Sequence, residues 1–202
     1  IRDRTMGASQ LCGFAKSDPT SDTPNLQFHI QPISTDKLGG ANLHHFHAFT
    51  PTVANIRPTS RGEITINSSD SKVNPKIKMN YLSTDEDRKV AADGIKLIRK
   101  IVMETNEFKQ YGPEEFRPGS HLNDKEEIVK ACSHYAQTIF HPVGTCKMGN
   151  DESAVVSDKL KVHGLNKLRV IDASIMPNIT SGNTNAPTIM IAEKGADMIL
   201  SS

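Results

Sequence analysis

No apolar run in this 202-residue chain approaches the roughly 18–20 residues that a bilayer-spanning helix needs, so a transmembrane segment is not expected. An excess of one charge is missing too. Lys and Arg number 24 against 23 Asp and Glu, a net charge of +1, which gives no overall field to recruit nucleic acid or an anionic lipid surface. Cysteine is scarce: Cys12, Cys132 and Cys146 are odd in number, far apart and without a CxxC pair. That pattern argues against a disulfide framework and a structural zinc site, and favours ordinary thiols in a reducing compartment such as the cytoplasm. Tryptophan is absent and aromatics make only 5% of the chain. An initiator Met is also lacking, since the chain opens Ile1-Arg2-Asp3, and the expectation is a processed product or part of something longer. What is present, 36% hydrophobic residues over 202 positions, suffices for a substantial core under a polar surface.

The first third reads as extended. Asn25–Ile33 alternates Leu26, Phe28 and Ile30 with Gln27, His29 and Gln31, the period of a half-buried strand. A second extended stretch, Leu43–Val53, follows the flexible Gly39-Gly40. Glu63–Asn67 and Lys76–Tyr81 read as partner strands around the polar turn of residues 68–72, and such short links suit an antiparallel sheet. Two helices come next. Thr84 caps the first, with Asp85, Glu86 and Asp87 in its first turn and an apolar stripe from Val90 to Val102. Asp124, with Glu127 three residues on, opens the second, Lys125 to about Ala136, and the Pro- and Gly-bearing link of residues 111–122 is loop. In the last third, Leu168–Asp172 is a nearly continuous apolar strand of the kind buried on both faces. A small-residue loop, Asn178–Pro187, then leads into a terminal helix, Thr188–Leu200, with Pro187 as its first residue and Ile191, Gly195 and Ile199 on one face.

His45 and His47 have the spacing of two metal ligands on one side of a strand, as in a cupin barrel. A cupin needs a carboxylate a few residues on, and residues 48–51 supply none, so a polar strand face is the better reading. The run Phe140-His141-Pro142-Val143-Gly144 is different. Pro142 and Gly144 restrict the backbone around His141, which suits an imidazole held at a set position.

Three long motifs then occur in order: HPVGTCKMG at 141–149, LRVIDASIMP at 168–177 and SGNTNAPTIMIAEKGADMI at 181–199. Together they resemble the C-terminal part of the glucose–methanol–choline (GMC) oxidoreductases, flavoenzymes that oxidise alcohols, in the branch of the choline and alcohol dehydrogenases. Residues 57–64 (RPTSRGEI) and Asn80-Tyr81-Leu82 with Asp87 are similar to that family's substrate domain, so the resemblance covers nearly the whole chain. The family's GxGxxG loop, which holds the FAD pyrophosphate on a helix N-terminus, does not occur between Ile1 and Ser202.

The resemblance implies an α+β chain in two parts. Residues 1–135 would form a substrate-binding domain, an antiparallel sheet with flanking helices. Residues 136–202 would be a catalytic segment whose strand and helix return to complete a separate FAD-binding α/β domain. It implies FAD as cofactor, a small-molecule alcohol as substrate, and an N-terminal FAD-binding chain or segment of the same enzyme as partner, without which the chain would be inactive. It carries the general base to His141 and a substrate-orienting amide to Asn183; Asp172, Ala173, Asn185 and Thr188 fall where the family contacts the cofactor. Asp172 could instead serve as a helix or turn cap, and cofactor contact is the better reading. Imidazole suits proton removal near neutral pH, and an Asn amide can donate to the substrate oxygen. The implied reaction is oxidation of a primary alcohol to an aldehyde. Phe140 stands where choline oxidisers commonly place a Tyr beside the base, and HPVGTCKMG leans toward the alkanol and polyol dehydrogenases. Two rivals are a flavin-dependent hydroxynitrile lyase and a non-catalytic stand-alone binding domain.

Overall fold

A computed structural model describes residues 9–36 and 42–201. The Gly39-Gly40 link therefore lies outside the described residues. The chain divides into two compact units, Ile1–Asn55 with Thr84–Ile139, and Ile56–Ser83 with Phe140–Ser202. The first contains most of residues 1–135 and the second most of 136–202, with 56–83 crossing over.

In the first unit, β1 (Leu11–Ala15), β2 (Leu26–Gln31) and β3 (Thr50–Asn55) form an antiparallel sheet in the order β1-β2-β3. Gly13 and Val53 flank Phe28 in register. Being central, β2 is buried on both faces at Leu26, Gln27 and Phe28. Helix α1 (Asp85–Arg99) covers one face, and Leu26, Phe28 and Val90 form the core with Ala15, Val53, Leu97 and Ile98 packed around it. Thr84 accepts from the Asp87 N–H at 3.3 Å, as an N-cap should. Gly94 lets the helix lie close on the sheet, because a Cβ there would stand 3.1 Å from Val53 Cγ2. After α1 the chain makes a π-helical turn, Lys100–Glu104, and the one-turn helix α2 (Asn106–Lys109). Helix α3 (Lys125–Tyr135) starts at Asp124, which accepts from the N–H groups of Glu126 and Glu127, and buries Ile128 and Ala131.

Two expectations about this unit need correction. The strand read as Asn25–Ile33 stops at Gln31, because Pro32 has no N–H to give the ladder. The stretch from Leu43 joins the sheet only at Thr50, opposite Gln31, so His45 and His47 lie on an irregular bend and are exposed. Among the described residues no three His, Cys, Asp or Glu side chains could hold a metal. The pairing of β1 with β2 escapes sequence periodicity, since LCGFA does not alternate cleanly.

In the second unit, β4 (Glu63–Thr65) and β5 (Lys76–Lys78) form a two-stranded antiparallel ribbon, shorter than the alternation suggests. Asn80 and Leu82 adopt left-handed φ of 56° and 54°, which ends β5 before Tyr81. The core of the unit comes from the C-terminal third: Val156, Leu160, Ile175, Met176 and Ile191 are buried together. A single 3₁₀ turn, Ala173–Ile175, packs against the terminal helix α4 (Asn185–Leu200).

Leu168–Asp172 forms no ladder strand. Its one bridge is antiparallel, Arg169 to Lys161, and Leu168 is 48% exposed. Val170 and Ile171 pack on the Ile175–Ile191 core, which accounts for the apolar run without a sheet on both faces. Helix α4 begins at Asn185 rather than Thr188, so Pro187 is its third residue. Proline is tolerated there because the first-turn N–H groups have no partner within the helix. Gly195 does allow close approach: Ile171 lies directly against it. No helix among the described residues is long and apolar enough to cross a membrane.

Candidate active site

His141 lies just after Phe140, whose backbone is left-handed at φ 63°, and just before residues 142–144, which lead into a turn at Thr145 and Cys146. Gly144 itself has φ 89°, a conformation that disfavours any side chain. Backbone bonds from Cys146 N–H to Ser174 C=O (3.0 Å) and from Met148 N–H to Ile175 C=O (2.8 Å) tie this loop to the 3₁₀ turn. The half-buried imidazole faces the loop that opens α4. Asn183 Nδ2 lies 2.8 Å from its Nε2, and Thr184 Oγ1 lies 2.9 Å from its Nδ1. The Thr184 N–H also points at Nδ1, at a longer 3.4 Å.

The structure therefore brings His141 and Asn183 into direct contact, and adds Thr184, which sequence reasoning missed. A Thr between two Asn in a small-residue loop carries no pattern of its own. The Asn183 side is exposed, whereas Thr184 is only 7% exposed, so the pair presents one open edge and one closed edge.

The remaining four positions surround the turn and the helix start. Asp172 Oδ1 accepts from Ser174 N–H (2.8 Å) and Ser174 Oγ–H (2.5 Å), capping the 3₁₀ turn that begins at Ala173. Asn185 is the exposed first residue of α4, and Thr188 Oγ–H is turned back to the Thr184 C=O at 2.6 Å. The side chain at the N-cap, Thr184, makes no capping bond to α4. Its free first-turn N–H groups carry the positive end of the helix dipole. Those donors and the exposed Asp172 suit a flat, amide-rich, electron-accepting ring edge such as that of a flavin.

The chain is α+β with small antiparallel sheets, and a histidine and an asparagine meet just ahead of its last helix. A family model for GMC oxidoreductases matches residues 58–192, and the chain belongs to that family. It is 43% identical over 196 residues to an alcohol dehydrogenase [acceptor] of Pseudomonas putida, covering 97% of this chain and 35% of that one. It is 44% identical over 197 residues to an oxygen-dependent choline dehydrogenase of Proteus mirabilis, covering 96% and 35%. Among solved structures, pyridoxine 4-oxidase from Mesorbium loti superposes with a TM-score of 0.83 at 27% identity, over 96% of this chain and 38% of that one. The formate oxidase of Aspergillus oryzae, an FAD protein, gives 0.80 at 29% identity, over 89% and 32%. The chain thus spans about a third of the length of the curated relatives it matches. FAD is the cofactor to which family and neighbouring structures point.

Proposed function

We propose that this chain serves in the FAD-dependent oxidation of a primary alcohol to an aldehyde. Residues 1–135 would act as its substrate-binding domain and 136–202 as its catalytic segment, beside an N-terminal FAD-binding segment or chain. The reading is supported chiefly by the 2.8 Å approach of Asn183 Nδ2 to His141 Nε2. An alcohol entering at the exposed Asn183 edge would insert between the two side chains, its O–H replacing the Asn183 N–H at the Nε2 lone pair and its oxygen accepting the released amide N–H. His141 then takes the hydroxyl proton in its ring lone pair, and Asn183 holds the oxygen so that the carbinol C–H is fixed in direction. FAD, when bound, supplies the hydride acceptor. Asp172, Ala173, Asn185 and Thr188 would meet its flavin end, with the uncapped α4 N-terminus favouring the negative charge that reduction brings.

The experiment is anaerobic mixing of the FAD-loaded enzyme with alcohol, following bleaching of the flavin. A hydroxynitrile lyase or a binding domain would not bleach. His141→Ala should slow flavin reduction by about 10²–10⁴-fold with FAD still bound, and Asn183→Ala by less. Reduction at nearly the parental rate in the His141 variant would remove His141 as the base.

A further inference from the structure

Thr184 occupies the N-cap position of α4, where a threonine hydroxyl ordinarily accepts an N–H from the first turn of its own helix. It does not do so here. Its backbone is helical (φ −89°, ψ −2°) rather than extended, its side chain makes no capping bond, and its Oγ1 lies 2.9 Å from His141 Nδ1. The group is buried, so the contact is shielded from competing water.

We propose that Thr184 is a positioning residue for His141. Its hydroxyl accepts the Nδ1–H and thereby fixes the tautomer whose Nε2 lone pair faces Asn183 and the incoming alcohol. The inference rests on His141 being the base. A neutral imidazole carries one N–H and one lone pair, so what each nitrogen meets decides which is which. With Asn183 presenting Nδ2, a donor, the lone pair lies on Nε2 and the hydrogen on Nδ1; a turned amide would present its oxygen and suit the other tautomer, so an acceptor at Nδ1 is what selects this arrangement. The opposite arrangement, with Nδ1 accepting from the Thr184 hydroxyl and N–H, would set an N–H of Nε2 against the Asn183 amide N–H at 2.8 Å. The polar partners of His141 among the described residues are these two neutral side chains and the Thr184 backbone; no carboxylate pairs with it. Thr184 therefore takes the place at Nδ1 that a carboxylate fills in other histidine bases, and its oxygen also steadies the imidazolium that forms when the proton arrives.

The test has two readouts on the FAD-loaded enzyme. In ¹⁵N spectra of histidine-labelled protein without substrate, His141 should show a protonated Nδ1 and an unprotonated Nε2. Thr184→Val should yield a mixture of tautomers, and Thr184→Ser should restore the single one. In anaerobic flavin reduction, Thr184→Val should be slower by about tenfold or more. The ascending limb of its rate–pH profile should move to lower pH, because a cation without its acceptor forms less readily, while Thr184→Ser stays within about threefold of the parent. Should the valine variant not fold, Thr184→Ala is read in its place against the serine variant and the parental spectrum. A parental spectrum with the hydrogen on Nε2, or a valine or alanine variant with unchanged tautomer and pH profile, overturns the proposal. His141→Ala is run in parallel. If it reduces flavin at the parental rate the base assignment fails, whereas if it is slow and Thr184→Val is not, the role of Thr184 alone fails.

Discussion

Replacing Gly195 with Ala should destabilise α4 in the parent yet stabilise it once Ile171 is shortened. Gly195 is buried within α4, and an alanine Cβ would stand 2.5 Å from Ile171 Cγ2, 2.9 Å from Cδ1 and 3.3 Å from Cγ1. Carbon atoms in comfortable contact are about 3.5–4.0 Å apart, so the overlap is about 1 Å. Turning Ile171 gives little relief: both γ carbons already face the glycine, and a β-branched side chain has few alternatives at χ1. Overpacking of this kind costs about 1–3 kcal/mol, while Ala in place of Gly in a helix returns about 1 kcal/mol. The net for Gly195→Ala is a loss of about 1 kcal/mol. In an Ile171→Ala background the γ and δ carbons are gone, the clash disappears, and the same substitution gains about 1 kcal/mol. The coupling between the two positions is then about 2 kcal/mol. Hydrogen exchange of the amides of residues 185–200 in the full enzyme reads this locally, at about fivefold faster exchange in the first case and fivefold slower in the second. Equal effects in both backgrounds would refute the close-contact argument.

Arg99 offers a second test. Its guanidinium donates to both oxygens of Glu115 at 2.8 and 2.9 Å and to the carbonyls of Leu122 (2.6 Å) and Gly119 (3.0 Å), with both side chains largely buried. Arg99→Ala strands the Glu115 charge and should cost about 3–5 kcal/mol, opening the 111–122 loop to limited proteolysis; parental resistance would contradict it. Asp151 carries a pH signature. The Ser153 hydroxyl, the Lys147 ammonium and the Ser153 N–H hold its carboxyl down to about 2, against an ordinary 3.8. A carboxyl depressed in the folded state stabilises it above the unfolded pKa and loses that contribution as pH falls through the folded one. The 147–156 loop should therefore loosen in hydrogen exchange between about pH 4 and pH 2, and Asp151→Asn should flatten that response; an unaltered response would contradict the assignment.

The parts legible in the sequence were those governed by local rules. Thr84 and Asp124 are caps because short polar side chains before acidic first turns have few other uses, and both helices start where the caps say. The pairing of β4 with β5 followed from two alternating segments around a polar turn. Leu168–Asp172 misled because apolar continuity reports burial without saying against what; helix packing and sheet burial leave the same trace. The His45–His47 spacing misled for a related reason, since strand spacing means something only where a neighbouring strand exists, and β2 has already ended at Gln31. At the site, motif order singled out His141 and Asn183 but was silent on Thr184, whose part depends on a contact across 43 positions of sequence.

That contact explains why a loop residue can hold an imidazole steady. The His141 loop is bonded through Cys146 and Met148 to the 3₁₀ turn, and the turn buries Ile175 against Val156, Leu160 and Ile191. Ile191 belongs to α4, and Gly195 seats the same helix against Ile171. Asn183 and Thr184 sit on the two positions just ahead of that helix, so their placement relative to His141 is set by core packing on both sides. Core packing of this kind resists displacement far better than an exposed loop does, which is what the proposed base would require to meet one hydroxyl within about 3 Å. Leaving the α4 cap unmade is consistent with the same arrangement. The threonine hydroxyl goes to the imidazole, and the first-turn N–H groups stay open toward the face where the proposed cofactor would gather negative charge.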